Sequence, residues 1–295
     1  MQLLFDRLTP DMPEFPPLLA EIPCAPKELY YRGRLPSPDA PSIAIVGTRR
    51  ATPQGKNIAR EFADVLARRK IMIVSGLAFG VDAAAHEGCL DAGGITIAVL
   101  PCGLDRIYPR SNVRLAERIL ENGGALVSEY PPGTEALPYR FLERNRIVSG
   151  LARGVLVIEA PERSGALVTA RFAGEQSRDC FVIPGPINHP NFIGSHELIR
   201  KGAELVTKPE DILEAMGITT ETTNTEETTE TLKKRFQLSD DEVKIFDHLT
   251  SARTAVEIDK IMRTVNLQPQ AANIALTMLL VKGLIKEDSG GYMVS

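Results

Sequence analysis

From residue 42 onward, short β-branched runs alternate with amphipathic stretches long enough to form helices. This alternation is typical of a parallel sheet whose two faces are covered by helices. The predicted strands are 42–46, 71–75, 95–99, 125–128, 154–159, 180–183 and a last one near 205–206, with helices at 54–69, 82–92, 112–122 and 166–176. The pattern predicts an α/β fold with a Rossmann-like, doubly wound, mostly parallel sheet.

The two ends of the chain differ from this central region. A chain of 295 residues, 43% of them hydrophobic, is expected to hold one large and one small domain. Residues 1–38 are rich in proline and are predicted to form an arm with a short helix near 17–21. The main domain is expected over 39–216, followed by a Thr/Glu-rich linker over 217–234 and a small winged-helix domain over 235–295.

The small domain is predicted from local signals. Ser239 and Glu242 have the spacing of a capping box, which marks the start of a helix. Two further helices are predicted at 254–263 and 268–282, and a β-hairpin is predicted to turn at 289–291. Three helices and a terminal hairpin are the outline of a winged helix.

Composition limits the function classes. The chain has 34 basic and 38 acidic residues, a net charge of −4, so a nucleic-acid site would have to be a local basic patch. No run of about 18 apolar residues and no signal-peptide pattern occurs, which predicts a soluble cytoplasmic protein without membrane contact. The cysteines and histidines lack metal-ligand spacing, so no metal and no cofactor are expected and buried free thiols are favoured: Cys24, Cys89, Cys102, Cys180, His86, His189, His196 and His248.

The first candidate site follows the strand predicted at 42–46. Gly47 and Thr48 lead into Arg49 and Arg50 immediately before a helix. A glycine lets the backbone approach a ligand, a helix N-terminus favours an anion, and guanidinium groups bind phosphate in a bidentate manner. This segment is predicted to bind phosphate; the alternative is that Gly47 serves only the turn and both arginines are solvated.

Two further strand-to-helix turns have a similar composition. Phe79 lies between glycines in the turn before Asp82, where it could stack on a nucleobase or fill a packing gap, while Asp82 is interpreted as a helix cap. Ser164 is the predicted N-cap of the helix at 166–176, and the free amides after it, beginning at Gly165, could hold another phosphate.

The strongest nucleic-acid cluster lies between residues 140 and 150. It combines basic groups for phosphates, an aromatic ring for stacking and an amide for base edges, which are the residue types that single strands require. Its members are Arg140, Phe141, Arg144, Asn145 and Arg146. The alternative is a helix whose arginines pair with Glu143 or other nearby acids.

A nucleotide-binding enzyme is the alternative to these binding interpretations. The chain has neither a phosphate-binding loop that ends in Lys-Ser/Thr nor the three-glycine dinucleotide fingerprint. Glu159 and Glu175 could act as paired carboxylates, but a glutamate at a strand end more often pairs with an arginine. The sequence therefore favours binding over catalysis.

Several strings, in order, resemble the DNA-processing protein A (DprA/Smf) family: VGTRR, SGLAFGVDAAAH, VLPCGLDRIYP, SEYPPGT, RNRIVSGL and IEAPERSGALVTA, over about residues 27–213. The resemblance implies a Rossmann-like protein that binds single-stranded DNA in a basic pocket and forms a homodimer. It implies that the protein protects incoming DNA and loads a RecA-type recombinase during natural transformation, without a catalytic step. The residues to which the resemblance assigns DNA contacts are Gly47, Thr48, Arg49, Arg50, Phe141, Arg144, Asn145 and Arg146.

The chain departs from the family pattern at three places, two of them beside Phe141 and one late in the domain. Leu142 follows Phe141 where members usually have proline, and Pro138 stands where many have a basic residue. Arg140 is the candidate to replace that charge. His196 occupies the position of a common asparagine, and no role is transferred to it.

The small domain resembles the winged helix that many members carry. Its third predicted helix, at 268–282, presents Gln268, Gln270 and Asn273, with Lys282 as its basic residue. This charge is too low for strong duplex binding, so a protein-contact or weak DNA role is expected.

Two other classes of function remain open from the sequence. One is an enzyme that cleaves nucleoside monophosphates, with Arg163 and Glu175 as site residues; against it, Arg163, Ser164 and Gly165 stand where such enzymes carry a Pro-Gly-Gly-x-Gly-Thr run. The other is an interaction protein whose α/β domain only dimerises. A basic pocket formed jointly by the first, third and fourth segments would count against the second alternative.

Overall fold

A computed structural model describes residues 5–35, 37, 40–218, 238–252, 256–265, 267–288 and 291–294. The chain divides into two compact units, residues 1–219 and residues 220–295. Most of the predicted linker, together with residues 254 and 255 of a predicted helix and residues 289 and 290 of the predicted turn, lies outside the described residues.

The first unit is built on a nine-stranded sheet in the order β1-β2-β6-β5-β4-β3-β7-β8-β9. Strands β3 to β9 pair in parallel, whereas β2 is antiparallel to β6 and β1 is antiparallel to β2. The strand bounds are β1 Asp6–Leu8, β2 Leu29–Gly33, β3 Ser42–Val46, β4 Met72–Ser75, β5 Thr96–Val99, β6 Ala125–Ser128, β7 Gly154–Val157, β8 Asp179–Val182 and β9 Glu204–Leu205. The predicted α/β fold with its mostly parallel sheet is confirmed.

Helices cover both faces of this sheet. Their bounds are α1 Pro17–Ala20, α2 Pro53–Arg68, α3 Val81–Asp91, α4 Val113–Glu121, α5 Pro138–Gly150, α6 Gly165–Glu175, α7 Ile193–Arg200 and α8 Pro209–Ala215. The side chains of Ile43 and Ile45 pack against the layer formed by α2, α3 and α8, and α4 extends that layer. Ala44 and Val46, which alternate with them, pack towards α1, α5, α6 and α7. The continuous apolar strands are explained by burial on both faces.

The prediction of a separate N-terminal arm is wrong. β1 and β2 form one edge of the main sheet, and Leu19 of α1 is fully buried near Gly150 of α5. The short helix near 17–21 is present, as α1. The prolines that suggested an arm lie outside both strands, and β2 acquires its hydrogen bonds from β6, almost a hundred residues away. Such a pairing leaves no local signal in the sequence.

The strand order creates a crevice beside β3. The chain proceeds from β3 through β4 and β5 to β6 on one side, then returns to place β7 on the other side of β3. In doubly wound sheets, ligands bind at such a switch point, outside the carboxyl ends of the strands. The turns after β3 and β7 meet at this point.

His86, in α3, is the most deeply buried histidine of the first unit. Its Nδ1 lies 2.7 Å from the hydroxyl of Thr96, and that hydroxyl donates to the carbonyl of Ile73. Nδ1 is therefore the protonated nitrogen of a neutral ring. Burial lowers the pKa of His86 to about 3.

The titration of His86 predicts a pH-dependent stability. In the unfolded chain this histidine takes up a proton below about pH 6.5, whereas the folded protein resists protonation down to about pH 3. Its contribution is therefore fully present above pH 6.5 and is lost as the pH falls. Between about pH 7.5 and pH 5, the wild type is expected to lose about 2 kcal/mol of unfolding free energy that His86→Gln does not lose. Urea unfolding at both pH values measures this difference.

Each protein serves as its own reference in this comparison, because the loss of packing in His86→Gln affects both pH values alike. Equal pH dependence in the two proteins would contradict the assignment of a neutral, buried His86.

The second unit contains three helices and a terminal hairpin, in the order predicted for a winged helix. Its elements are α9 Asp240–Ala252, α10 Ile258–Val265, α11 Pro269–Val281, β10 Ile285–Asp288 and β11 Gly291–Val294, the last two antiparallel. The predicted capping box is present: Ser239 N donates to Glu242 Oε2 at 2.6 Å, and Glu242 N donates to Ser239 Oγ at 3.3 Å. Within the described ranges, no helix is both long and apolar enough to cross a membrane.

Lys282 is held inside the second unit. Its Nζ lies 2.7 Å from Oε1 of Glu242, whose side chain is only 5% exposed. The basic residue that the sequence placed on the third helix is therefore engaged in an ion pair. The exposed side chains of α11 are uncharged: Pro269, Gln270, Asn273, Ile274, Thr277, Met278 and Val281. This surface lacks the cations that duplex phosphates require.

Candidate nucleic-acid interface

A cavity of about 610 Å³ opens at the carboxyl ends of β3 and β7. It is lined by the turn after β3, the turn after β7 and one side of α5. Nine of the twelve predicted DNA-contacting residues line it, namely Gly47, Thr48, Arg49, Arg50, Phe141, Arg144, Asn145, Ser164 and Gly165. The three segments that the sequence analysis treated separately thus meet in one place.

The turn after β3 presents two cations to this cavity. The amide of Thr48 donates to the carbonyl of Glu159 at 2.7 Å, which ties the turn to the end of β7. Gly47 is needed there because a Cβ would lie 2.5 Å from Cγ2 of Val81. The side chains of Arg49 and Arg50 are exposed and make no ion pair with any described residue. Both guanidinium groups are available to an anionic ligand.

The N-terminus of α2 is already occupied by a carboxylate. Glu159 is buried and accepts hydrogen bonds from the amide of Thr52 at 3.1 Å, from the Thr52 hydroxyl and from Asn191 Nδ2 at 2.7 Å. The prediction that this helix end attracts a phosphate is therefore wrong. So is the expectation that Glu159 pairs with an arginine, because its partners are uncharged.

The N-terminus of α6 instead faces the cavity. Ser164 caps this helix by accepting from the amide of Ala166 at 3.2 Å, as predicted. Gly165 is exposed, and a Cβ there would meet only Asn145 Nδ2, at 3.8 Å. The positive end of the α6 dipole and two guanidinium groups therefore converge on the same space.

Arg144 lies at the floor of the cavity and is almost completely buried. Its side chain is 4% exposed, and Nη1 donates to the carbonyls of Gly76, at 2.7 Å, and Val99. Burial lowers the pKa of Arg144 to about 10, so it stays charged at neutral pH. Burial raises the pKa of the neighbouring Asp82, against the opposing charge of Arg144. The cation can act on a ligand through its field, while its hydrogen bonds support the turn after β4.

Asn145 is also buried beneath the cavity. Its Nδ2 donates to the carbonyl of Gly165 at 3.1 Å. This amide group was predicted to read a base edge, but it instead positions the N-terminus of α6.

Two predicted contacts point away from the cavity. Arg146 forms an ion pair with Glu129, and both side chains are largely buried. Arg140 lies over the rings of Tyr130 and Tyr139 and donates to the carbonyl of Glu135. Successive helical residues face different directions, so Arg144 and Arg146 cannot share one face of α5. The idea that Arg140 replaces the charge missing at Pro138 is wrong for the same reason, because Pro138 lines the cavity and Arg140 does not.

Aromatic groups complete the rim. The guanidinium carbon of Arg49 lies 4.7 Å from the centre of the Phe141 ring, and Tyr108 contacts that ring edge-to-face at 5.2 Å. Phe79 lines a shallow depression beside the cavity, together with Arg49 and Phe141. It is therefore near the site, although not inside the main cavity.

Two residues that contribute to the site, Tyr108 and Arg163, were not predicted to bind DNA. Tyr108 lies in the string LDRIYP, and its ring gave no signal because the chain reaches the rim only through the β5 to α4 connection. Arg163 is exposed at the rim and was considered only for an enzyme. The lining of the cavity thus contains four arginines, Arg49, Arg50, Arg144 and Arg163, against the single carboxylate of Asp82.

No group of three or more metal-ligating side chains occurs among the described residues. All four cysteines are free, as expected, but Cys24 is exposed rather than buried. Glu175 pairs with Arg171 at 3.5 Å and does not line the cavity.

Comparisons with known proteins bear on this site. The family model for DNA recombination-mediator protein A matches residues 6–217. The chain belongs to this family. Protein Smf of Escherichia coli is 49% identical over 200 residues, which is 68% of this chain and 54% of that protein. The chain thus spans about half the length of this curated relative.

Solved structures of the family have the same fold. The DNA processing protein A of Streptococcus pneumoniae is 43% identical and covers 71% of this chain and 74% of its own, with a TM-score of 0.67. The protein from Helicobacter pylori is 33% identical and covers 74% of this chain and 97% of its own, with a TM-score of 0.66. The latter structure is described as showing a single-stranded DNA binding mode.

Proposed function

We propose that this member of the family binds single-stranded DNA in the cavity at the carboxyl ends of β3 and β7, and that it does so without a catalytic step. The observation that carries the proposal is the union of four arginines, a helix N-terminus and the Phe141 ring in one open cavity. This combination of cations and an aromatic face suits phosphates and splayed bases. The single-stranded DNA binding named for the H. pylori relative supports the same ligand.

We extend the proposal to a wider role, which rests on membership in the family. The protein protects incoming single strands, loads a RecA-type recombinase onto them during natural transformation and acts as a cytoplasmic homodimer. Membership in a recombination-mediator family supports the recombination role. The recombinase contact and the dimer interface are proposed on the family resemblance alone.

The alternative of a nucleotide-cleaving enzyme has less support. Its two candidate site residues, Arg163 and Glu175, lie at opposite ends of α6, an 11-residue helix of about 16 Å. Only Arg163 lines the cavity. The alternative of a merely dimerising α/β domain is disfavoured by the shared basic cavity.

Fluorescence anisotropy of labelled oligothymidylate tests the proposal. Three exposed arginines that each contact a phosphate predict an affinity loss of about 20-fold between about 50 and 200 mM salt. Duplex DNA and thymidine monophosphate are expected to compete weakly, because the former hides its bases and the latter fills only part of the site. Absence of binding, or displacement by the mononucleotide at equal concentration, would favour the enzyme instead.

A further inference from the structure

A shallow depression adjoins the main cavity on the β4 side. It is lined by Phe79, Tyr108, Phe141 and Arg49, with backbone from the turn after β4. Its volume is about 20 Å³, enough for about one water molecule. A planar group would therefore lie on this surface rather than inside it.

Two of the rings at this surface, those of Phe79 and Tyr108, are about half exposed. Phe79 is 48% exposed and Tyr108 is 42% exposed, although both belong to a well-packed domain. The packing role that the sequence left open for Phe79 does not fit this exposure. Tyr108 is braced edge-to-face against Phe141, which leaves its position set before any ligand arrives.

The turn that carries Phe79 is held by hydrogen bonds on both sides. The carboxylate of Asp82 accepts from the amides of Gly76, at 3.1 Å, and Ala78, at 3.3 Å. Asn112 Nδ2 donates to the carbonyl of Leu77 at 2.9 Å. The backbone is thus fixed while the Phe79 ring remains free to contact a ligand, which lowers the entropy cost of binding.

This turn also packs directly against the turn after β3, which carries Thr48 and Arg49. Gly80 has φ of +80°, and a Cβ there would lie 2.3 Å from the carbonyl oxygen of Thr48. Arg49 lines both the cavity and the depression. A phosphate at Arg49 would therefore have its neighbouring nucleotide next to the exposed rings.

We propose that Phe79 and Tyr108 form a stacking face for the base adjacent to the phosphate bound at Arg49. The site then engages at least two consecutive nucleotides, and a strand is preferred to a mononucleotide. Stacking uses the π-face that every base has, so this surface adds affinity without sequence preference. The inference rests on the proposed single-stranded DNA binding and deepens it.

An abasic scan tests the stacking face. A labelled thymidylate of about six nucleotides carries one abasic residue, moved through each position in turn, and binding is measured by anisotropy. We expect one position to cost the wild type about tenfold in affinity. Phe79→Ala should bind the intact strand about tenfold more weakly and show no further loss at that position, while Phe79→Tyr should bind as the wild type does.

Ile95→Ala is the matched control. Ile95 is exposed but lies just before β5, at the amino-terminal ends of the strands, whereas the cavity lies at their carboxyl ends. Wild-type affinity of Phe79→Ala, or an unchanged abasic penalty in that variant, would overturn the stacking face. In that case, binding by the wild type together with loss of binding by Arg49→Ala would leave the proposed function intact. Failure of the wild type to bind any oligonucleotide would instead overturn the proposed function.

Discussion

Arg144→Met is expected to lower the free energy of unfolding of the first unit by about 3 to 5 kcal/mol. The buried guanidinium donates to two backbone carbonyls, of Gly76 and Val99, and its charge stabilises the buried Asp82. Methionine fills similar space but leaves the carbonyls unpaired and the carboxylate without its cation. Urea unfolding followed by circular dichroism measures the loss.

Arg118→Met provides the matched control. Arg118 also pairs with an acid, Asp91 at 2.9 Å, but both side chains are about half exposed. Exposed pairs of this kind contribute less than about 1 kcal/mol. A similar small loss for Arg144→Met would contradict the structural role assigned to its buried charge.

The pH dependence of the Arg144→Met deficit gives a second check. Without the cation, the pKa of Asp82 rises further above its unfolded value, so the folded state binds a proton that the unfolded state releases. The stability deficit should therefore shrink as the pH falls from 7 towards about 4. A stability deficit that does not change with pH would mean that the charge of Arg144 does not stabilise the Asp82 carboxylate.

Arg49→Ala is expected to weaken binding of oligothymidylate by about 10- to 100-fold, because a charge-assisted hydrogen bond to phosphate contributes about 1.5 to 3 kcal/mol. The side chain also covers the Phe141 ring and lies at the edge of the Phe79 depression. Its removal should reduce the slope of log affinity against log salt by about 0.7. Anisotropy titration over a salt series measures both quantities.

Lys70→Ala controls for the loss of one positive charge. Lys70 is exposed just before β4, at the amino-terminal ends of the strands, whereas the cavity lies at their carboxyl ends. Its replacement should leave affinity and salt slope nearly unchanged. Equal effects of the two substitutions would mean that the protein attracts DNA by its general charge, and the phosphate site at Arg49 would be abandoned.

The contrast between Arg49 and its neighbours along α5 shows where sequence reasoning succeeds. Strand-to-helix turns follow directly from the alternation of apolar strands and amphipathic helices, so Gly47 to Arg50 and Ser164 to Gly165 were predicted at the correct edge of the sheet. Within α5, five residues between 140 and 146 were predicted to act together, but a helix points their side chains in different directions. Phe141 reaches the cavity rim, Arg144 lies beneath it, and Arg146 turns to Glu129.

The Glu159 side chain illustrates the same limit at longer range. Its carboxylate lies in the turn after β7, 107 residues from Thr52, and occupies the N-terminus of α2 where the sequence predicted a bound anion. The edge strands β1 and β2 were likewise missed because β2 pairs with β6, far along the chain.

By itself, the sequence determined the class of fold, the turns that form the cavity and the family, because each depends on local patterns of hydrophobicity, glycine and capping residues. Only the tertiary structure decided which arginines are free. The three exposed at the rim, Arg49, Arg50 and Arg163, make no ion pair with any described residue. By contrast, Arg140 and Arg144 donate to backbone carbonyls, and Arg146 pairs with the carboxylate of Glu129. The charge and type of each residue can be read from the sequence. Whether an arginine side chain is available to a ligand depends on partners that folding brings from distant segments.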